Sequence, residues 1–152
     1  MTQRIPAFFV NSDNMQNHHN LLKPIIFFDG VCNLCIHSVL FVLRNDSKQQ
    51  FQFASLQSNF GKNILLKYNL PLEHFGSFIL LQNNKIYTQS TAALKVATEL
   101  KFPMNLLAIG WIIPKFIRDK VYNYIAANRY RWFGKKNICF IPDEKWRNRF
   151  IE

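Results

Sequence analysis

Two cysteines separated by two residues, in the sequence Cys32-Asn33-Leu34-Cys35, are the residues of this chain best suited to chemistry. Thiols spaced in this way at the start of a helix can share one reaction cycle, in which the first attacks a disulfide and the second resolves the mixed disulfide. The unsatisfied N–H groups and the dipole of a helix N-terminus stabilise a thiolate there. We therefore predict Cys32 as the nucleophile and Cys35, one turn further in, as a shielded resolving thiol.

A carboxylate, Asp29, precedes Cys32 by three positions at the end of an apolar run. It can accept a proton from Cys35 or cap the start of the helix. An ionised carboxylate opposes thiolate formation nearby, whereas a protonatable one serves as a proton shuttle. We favour proton transfer, so the predicted catalytic residues are Cys32, Cys35 and Asp29.

A Cys-x-x-Cys pair can also be half of a zinc site. Tetrahedral zinc needs two further ligands, and the candidates Cys139, His37 and His74 show no second paired spacing. Redox use is therefore favoured, and we predict no metal ligands.

Two of those candidates receive other interpretations. His37 lies two positions past Cys35, so on a helix it faces elsewhere and is expected at the surface. Cys139 stands in an apolar run and is expected to be a small buried residue, although its distance from Cys32 decides whether it is a third redox partner.

The pair must be positioned by a strand before it and a helix after it. The apolar run from Pro24 to Phe28 predicts a strand buried on both faces, and the spacing from Asn33 to Arg44 predicts a helix. A second strand is predicted over Phe51 to Leu56, and a second helix over Gly61 to Asn69 before Pro71. These elements form a βαβα unit.

An antiparallel pair follows, with strands over Ser77 to Leu81 and Lys85 to Thr88 joined by a tight turn at Gln82-Asn83-Asn84. Ser90 is predicted to cap a helix from Thr91 to Leu100. The predicted order is therefore βαβα-ββα.

The chain after Pro103 is predicted to be helical, with a second stretch from Phe116 to Asn128 and an irregular segment from Arg129 to Pro142. Arginines between Arg129 and Gly134 can approach a thiolate or an acidic partner. Aromatic side chains at helical spacing are more often core than ligand surface, so we expect these helices to pack on the core. The aromatic residues are Trp111, Phe116, Tyr122, Tyr124, Trp132 and Phe133.

The length of 152 residues, 49% of them hydrophobic, suits one domain. Residues 1–22 show neither a helical nor a strand period, so we expect a flexible N-terminal extension and a single domain over residues 23–152.

Three cysteines are too few for a disulfide framework, which favours a reducing, cytoplasmic location. The most apolar stretch, Met104 to Ile113, is shorter than the ~20 residues of a spanning helix, and no signal peptide is apparent, so a soluble protein is expected.

The net charge of +10 is concentrated near the C-terminus, where residues 101–152 hold 11 Lys and Arg against 4 Asp and Glu, a net +7. Such a surface attracts phosphates, acidic proteins or anionic lipid headgroups, although a solvated basic surface is the favoured interpretation. We expect no nucleic-acid partner and leave peripheral membrane contact and the oligomeric state open.

Gly is scarce and no glycine-rich phosphate loop occurs, so no organic cofactor is predicted.

The run Phe27-Phe28-Asp29-Gly30-Val31-Cys32-Asn33-Leu34-Cys35 resembles the DCC family of predicted thiol–disulfide oxidoreductases, whose name matches Asp29, Cys32 and Cys35. The resemblance continues through Gly76 to Leu94 and through Asn128 to Cys139, and covers about residues 24–150. It implies an α/β, thioredoxin-like fold and redox activity at the two cysteines, with a helical C-terminal segment added to a minimal thioredoxin.

The expected function is therefore thiol–disulfide exchange with a protein or a low-molecular-weight thiol or disulfide. Two alternatives remain: a zinc-binding module, and a basic adaptor for an anionic partner.

Overall fold

The computed structural model describes residues 23–71 and 78–151. The predicted extension over residues 1–22 lies outside the described residues. So does the start of the third predicted strand, at Ser77.

A mixed sheet of five strands forms the centre of the protein, in the order β4-β3-β1-β2-β5. Strand β1 pairs in parallel with β2 and antiparallel with β3, and β3 forms a hairpin with β4. The strands are β1 (Ile25–Phe28), β2 (Gln52–Ser55), β3 (Ile79–Gln82), β4 (Lys85–Thr88) and β5 (Phe150–Ile151).

Four α-helices and two 3₁₀ helices accompany the sheet within the described residues. The α-helices are α1 (Asn33–Asn45), α2 (Asn59–Lys67), α3 (Gln89–Glu99) and α4 (Lys115–Phe133); the 3₁₀ helices span Met104–Ile112 and Glu144–Arg149. The predicted βαβα-ββα order is confirmed. Asn83 and Asn84 both have positive φ in the hairpin turn, as the Asn residues there predicted.

The core lies on both faces of the sheet, because successive side chains of a strand point to opposite sides. Ile26 and Phe28 of β1 pack with residues of α1 and α3 on one face, whereas Ile25 and Phe27 pack on the other face with α2. All four are buried, as their continuous apolar run predicted. Full burial of each such side chain stabilises the fold by about 1.5–3 kcal/mol.

The C-terminal strand β5 was not predicted, because two residues carry no recognisable strand pattern. It pairs in parallel with β2, placing Phe150 opposite Phe53. The preceding residue, Arg149, is buried and forms an ion pair with Asp46. Arg149 also donates hydrogen bonds to the carbonyl oxygen of Phe51. The end of the chain is thus tied to the middle of the sheet.

The predicted capping role of Ser90 is wrong. Helix α3 begins two residues earlier than predicted, at Gln89, and follows Thr88, whose side chain makes no capping bond. The Ser90 hydroxyl instead donates to the carboxylate of Asp119 on α4. Ser90 therefore bonds to a residue of another helix rather than to the backbone of its own helix.

The predicted irregular segment after Asn128 is also wrong at its start, because α4 continues through Phe133 and ends before Gly134, which has φ +80°. Residues 129–133, with Arg129 among them, are helical. A glycine in the left-handed region is a common helix terminator.

Residues 102–133, here named the C-terminal arm, are mostly exposed rather than packed on the core as predicted, although Met104 lies against the core. No residue of the 3₁₀ helix Met104–Ile112 is buried, and in α4 only Arg129 is buried. The faces of the sheet are already covered by α1, α2 and α3, so the arm lies outside them. Tyr122 is half-buried, whereas the other predicted core aromatics are exposed: Trp111, Phe116, Tyr124, Trp132 and Phe133.

No helix in the described residues is both long enough and apolar enough to cross a membrane.

Candidate active site

The cysteine pair stands where β1 ends and α1 begins. Cys32 is the N-cap residue of α1, with extended backbone angles, and its carbonyl oxygen accepts the hydrogen bond from the Ile36 N–H at 3.0 Å. The predicted helix N-terminal position is confirmed. A strand buried on both faces supplies a rigid support directly before the pair.

Residues 133–136, at and after the end of α4, bond to the junction between β1 and α1. Cys32 forms an isolated antiparallel bridge with Lys135, and the Lys136 N–H donates to the Val31 carbonyl at 2.8 Å. The Asn33 side-chain amide donates to the Phe133 carbonyl at 2.8 Å. The loop that carries Cys32 is therefore fixed by residues about a hundred positions away in sequence.

Cys32 and Cys35 lie 3.3 Å apart, and both are free thiols in this structure. The hydrogen bond that the Cys35 thiol donates to Cys32 lowers the pKa of Cys32 from its ordinary 9.0 to about 6. The Cys35 backbone N–H and the charge of Arg129 act in the same direction, while burial and Asp29 oppose them. Cys32 is thus the thiolate of the pair at neutral pH.

The same hydrogen bond, together with burial and the charge of Cys32, raises the pKa of Cys35. Cys35 therefore keeps its proton while Cys32 is charged. This asymmetry agrees with the roles predicted from the order of the two residues.

The exposure of the two thiols is the reverse of the prediction. Cys32 has 0% exposed surface, whereas Cys35 is half-buried. Helix position alone suggested a shielded Cys35, but the loop and the residues after α4 cover Cys32. An incoming molecule consequently meets Cys35 first.

Asp29 is buried, with 4% of its surface exposed, and its carboxylate accepts hydrogen bonds at both oxygens. One carboxylate oxygen accepts from the Val31 N–H at 3.1 Å and from the Gln57 side-chain amide at 2.9 Å. The other accepts from Arg129 at 3.0 Å and from the Tyr130 hydroxyl. Val31 precedes the helix, so the alternative role of Asp29 as a cap of α1 is wrong.

Arg129 is the site residue that sequence analysis missed. It is 5% exposed, forms an ion pair with Asp29, and interacts electrostatically with both cysteines. The segment from Arg129 to Gly134 was noted as a possible source of guanidinium groups, but the predicted helix ended at Asn128. A helix continued by one turn would have placed Arg129 on the inward face with Tyr122 and Ala126.

Tyr130 completes the polar cluster around Asp29. Burial, together with its hydrogen bond to Asp29, raises the pKa of the Tyr130 phenol above its ordinary value. The phenol therefore stays protonated and acts as a donor to the carboxylate.

Cys139 is exposed rather than buried as predicted. Its sulfur lies 3.6 Å from the Ser55 hydroxyl. It also packs against the backbone of Gly30, where an added Cβ would come within 2.6 Å of the sulfur. A glycine is required at position 30 for this close approach.

Two histidines were considered as zinc ligands. His37 is exposed, as predicted, and His74 lies outside the described residues. Within residues 23–71 and 78–151, no group of three or more His, Cys, Asp or Glu side chains is arranged to hold a metal ion.

The mixed sheet and the Cys-x-x-Cys pair at the start of its first helix define a thioredoxin-like α/β protein with a dithiol site. The family model described as DCC1-like thiol-disulfide oxidoreductase matches residues 26–135. The chain belongs to this family, which confirms the resemblance seen in its sequence.

Two relatives extend this comparison. The chain is 44% identical over 127 residues to the uncharacterized protein YuxK of Bacillus subtilis, covering 84% of this chain and 93% of the relative. It is 38% identical over 118 residues to a chloroplastic DCC family protein of Arabidopsis thaliana, covering 77% of this chain and 69% of the relative. No solved structure matches the chain.

Proposed function

We propose that this protein is a thiol–disulfide oxidoreductase in which Cys32 attacks and Cys35 resolves. The observation that carries the proposal is the asymmetry of the pair: two free thiols 3.3 Å apart, of which one has a pKa of about 6 and the other keeps its proton. A low-pKa thiolate beside a protonated thiol is the arrangement that disulfide exchange needs.

The first step is attack by the Cys32 thiolate on one sulfur of a substrate disulfide. An S–S bond forms between Cys32 and the substrate, and the substrate's own S–S bond breaks with release of a thiolate. Because Cys32 is buried, the loop and the residues after α4 that cover it must open for this attack.

The second step closes the Cys32–Cys35 disulfide. Cys35 loses its proton and attacks the sulfur of Cys32, and the second half of the substrate leaves as a thiolate. The protein dithiol is oxidised by two electrons and the substrate disulfide is reduced to two thiols. The reverse sequence oxidises a substrate dithiol.

Asp29 is proposed to receive the proton that Cys35 loses. It is a buried carboxylate whose charge opposes ionisation of both thiols. Asp29→Asn should lower the pKa of Cys32 but leave attack at neutral pH nearly unchanged, because Cys32 is already a thiolate there, while it slows resolution and lets the mixed disulfide accumulate. A purely structural role for Asp29 would slow both steps together.

The function is further expected in a reducing compartment such as the cytoplasm, with a protein or small thiol as substrate. The scarcity of cysteines, three in 152 residues, supports this.

The roles of the two cysteines are tested by trapping. Cys35→Ser should accumulate a mixed disulfide at Cys32 when the protein is incubated with a disulfide, because the resolving thiol is absent. Cys32→Ser should accumulate none, and the matched control Cys139→Ser should behave as the unmodified protein. An adduct on Cys35 in the Cys32→Ser variant would reverse the assigned roles.

Redox activity itself is tested by equilibrating the protein in glutathione buffers while assaying bound metal. A Cys32–Cys35 disulfide with a potential within the range of roughly −120 to −270 mV seen in redox proteins is the expected result. A pair that forms no disulfide and holds stoichiometric zinc would overturn the proposal.

A further inference from the structure

A cavity of about 510 Å³ lies directly beside Cys35, between α1, α3 and α4. Its walls carry mainly hydrocarbon side chains from all three helices, among them Phe41, Val96 and Ile125. Cavities of this size typically bind small molecules. Cys35 and Arg129 both line it, so one of the two cysteines of the pair stands at its edge.

Most other polar groups of the wall are already satisfied or lie at the surface. The Ser38 hydroxyl donates to the Leu34 carbonyl at 2.9 Å, and the Tyr122 hydroxyl accepts from the Phe78 N–H at 2.8 Å. His37 is exposed. The wall therefore has few free partners for polar atoms of a bound molecule.

Arg129 is the exception. Its Nε and Nη1 groups are buried and have no hydrogen-bond partner among residues 23–71 and 78–151, although its Nη2 group is bonded to Asp29. Unpaired buried donors of this kind cost free energy unless a ligand satisfies them. Because Arg129 lines the cavity together with Cys35, an acceptor bound there can satisfy them.

These observations discriminate between classes of occupant. A peptide segment would bring backbone amides that this wall cannot pair, and glutathione would bring several charges. A hydrocarbon body, in contrast, gains free energy from every apolar contact. The acceptor that disulfide exchange creates beside the pair is the departing thiolate.

We propose that this cavity binds a small disulfide with hydrocarbon arms, and that the free N–H groups of Arg129 stabilise the thiolate that leaves it. The proposal rests on the thiol–disulfide oxidoreductase function and names its substrate class. The Cys32–Cys35 dithiol is oxidised to a disulfide, the substrate S–S bond breaks, and two alkyl thiols are released. Hydrogen-bond donors that meet developing charge in a water-poor site are an effective source of rate acceleration.

The test compares two disulfides of equal size, dipropyl disulfide and bis(2-hydroxyethyl) disulfide, which differ only in a methyl group or a hydroxyl group at each end. The rate of oxidation of the protein dithiol is divided by the rate measured with dithiothreitol in solution. The corrected rate should favour dipropyl disulfide by about tenfold, because each terminal methyl is removed from water.

A substitution that fills the cavity tests whether the preference for dipropyl disulfide arises there. Ala93 is exposed at the cavity edge, so Ala93→Phe should place a ring inside it and remove most of the preference for dipropyl disulfide. The matched control is Ala127→Phe, an exposed position of α4 that is not in the cavity wall, and it should leave both rates unchanged.

A measurement that leaves the cavity wall unchanged keeps the proposal testable if Ala93→Phe fails to fold. Dipropyl sulfide cannot exchange, yet it should occupy the cavity and slow alkylation of Cys35 by iodoacetamide in the Cys32→Ser protein. The matched polar sulfide, bis(2-hydroxyethyl) sulfide, should protect far less.

The outcomes separate the two proposals. A dithiol that reacts with neither disulfide removes the proposed function. Equal corrected rates with both disulfides, with no protection by dipropyl sulfide, overturn the cavity proposal and leave the oxidoreductase function standing.

Discussion

The sheet with its helices and the C-terminal arm use apolar side chains in opposite ways. In the sheet, residues such as Phe27 and Phe53 are almost fully buried, whereas in the arm Ile112 and Phe116 are exposed by 81% and 74%. The arm nevertheless supplies Arg129 and part of the cavity wall. Stability is therefore concentrated in the sheet, while the arm adds groups that tune and surround the thiol pair.

The largest expected effect is a loss of stability on removing an apolar side chain from the sheet, compared with removing one from the arm. Phe53→Ala should lower the free energy of unfolding by about 3–5 kcal/mol, because it leaves a cavity in the core. Phe116→Ala should change it by less than about 0.5 kcal/mol, because the ring is already in water. Urea unfolding measures both, and similar losses in the two variants would contradict the distinction.

A somewhat smaller effect is expected at the ion pair that ties the chain end to the sheet. Arg149→Met should cost about 3 kcal/mol, since it leaves the buried Asp46 carboxylate without its partner. Lys145→Met breaks only the exposed pair with Asp143, whose atoms are 3.9 Å apart, and should have no measurable effect. A measurable loss in Lys145→Met would show that surface charge stabilises this region.

The effect of the positive charge of Arg129, a residue of the arm, on the pKa of Cys32 can be measured by changing the pH. The folded pKa of Cys32 is lowered to about 6 from 9.0, so the folded state releases a proton that the unfolded state keeps between these values. The free energy of unfolding of the reduced protein should rise with pH over this window, by at most about 1.4 kcal/mol per pH unit, and this gain should be lost as pH falls through 6.

Two variants test which groups cause this rise of the free energy of unfolding with pH. Cys32→Ser should remove the rise. Arg129→Gln should shift the titration of the Cys32 thiolate, followed by its ultraviolet absorbance, to higher pH because a positive charge is lost. A titration unchanged by Arg129→Gln would mean that the arm does not influence the thiol.

The smallest expected effect concerns the contact between α3 and the arm. Ser90→Ala should cost about 1 kcal/mol, because it removes the hydrogen bond to Asp119. Thr98→Ala, which removes only an exposed bond to the Lys95 carbonyl within α3, should cost less in the same unfolding assay. A larger loss in Thr98→Ala would indicate that α3 is held mainly by its own contacts.

Local sequence was sufficient to determine the parts of the fold that depend on neighbouring residues. The buried run at Ile25–Phe28 predicted β1, helical spacing predicted α1, and the two cysteines could be placed at the helix start because these elements adjoin. Asn83 and Asn84 predicted the hairpin turn through their tolerance of positive φ. Each of these properties belongs to a few consecutive residues.

The tertiary structure decided what depends on partners distant in sequence. Arg129 reaches Asp29 across one hundred positions, Ser90 bonds to Asp119 rather than to its own helix, and Cys32 is covered while Cys35 is half-buried. Aromatic spacing in the arm could not reveal exposure, because both faces of the sheet were already occupied. A side-chain pattern specifies which face is apolar, but only the packed chain determines whether another element covers that face.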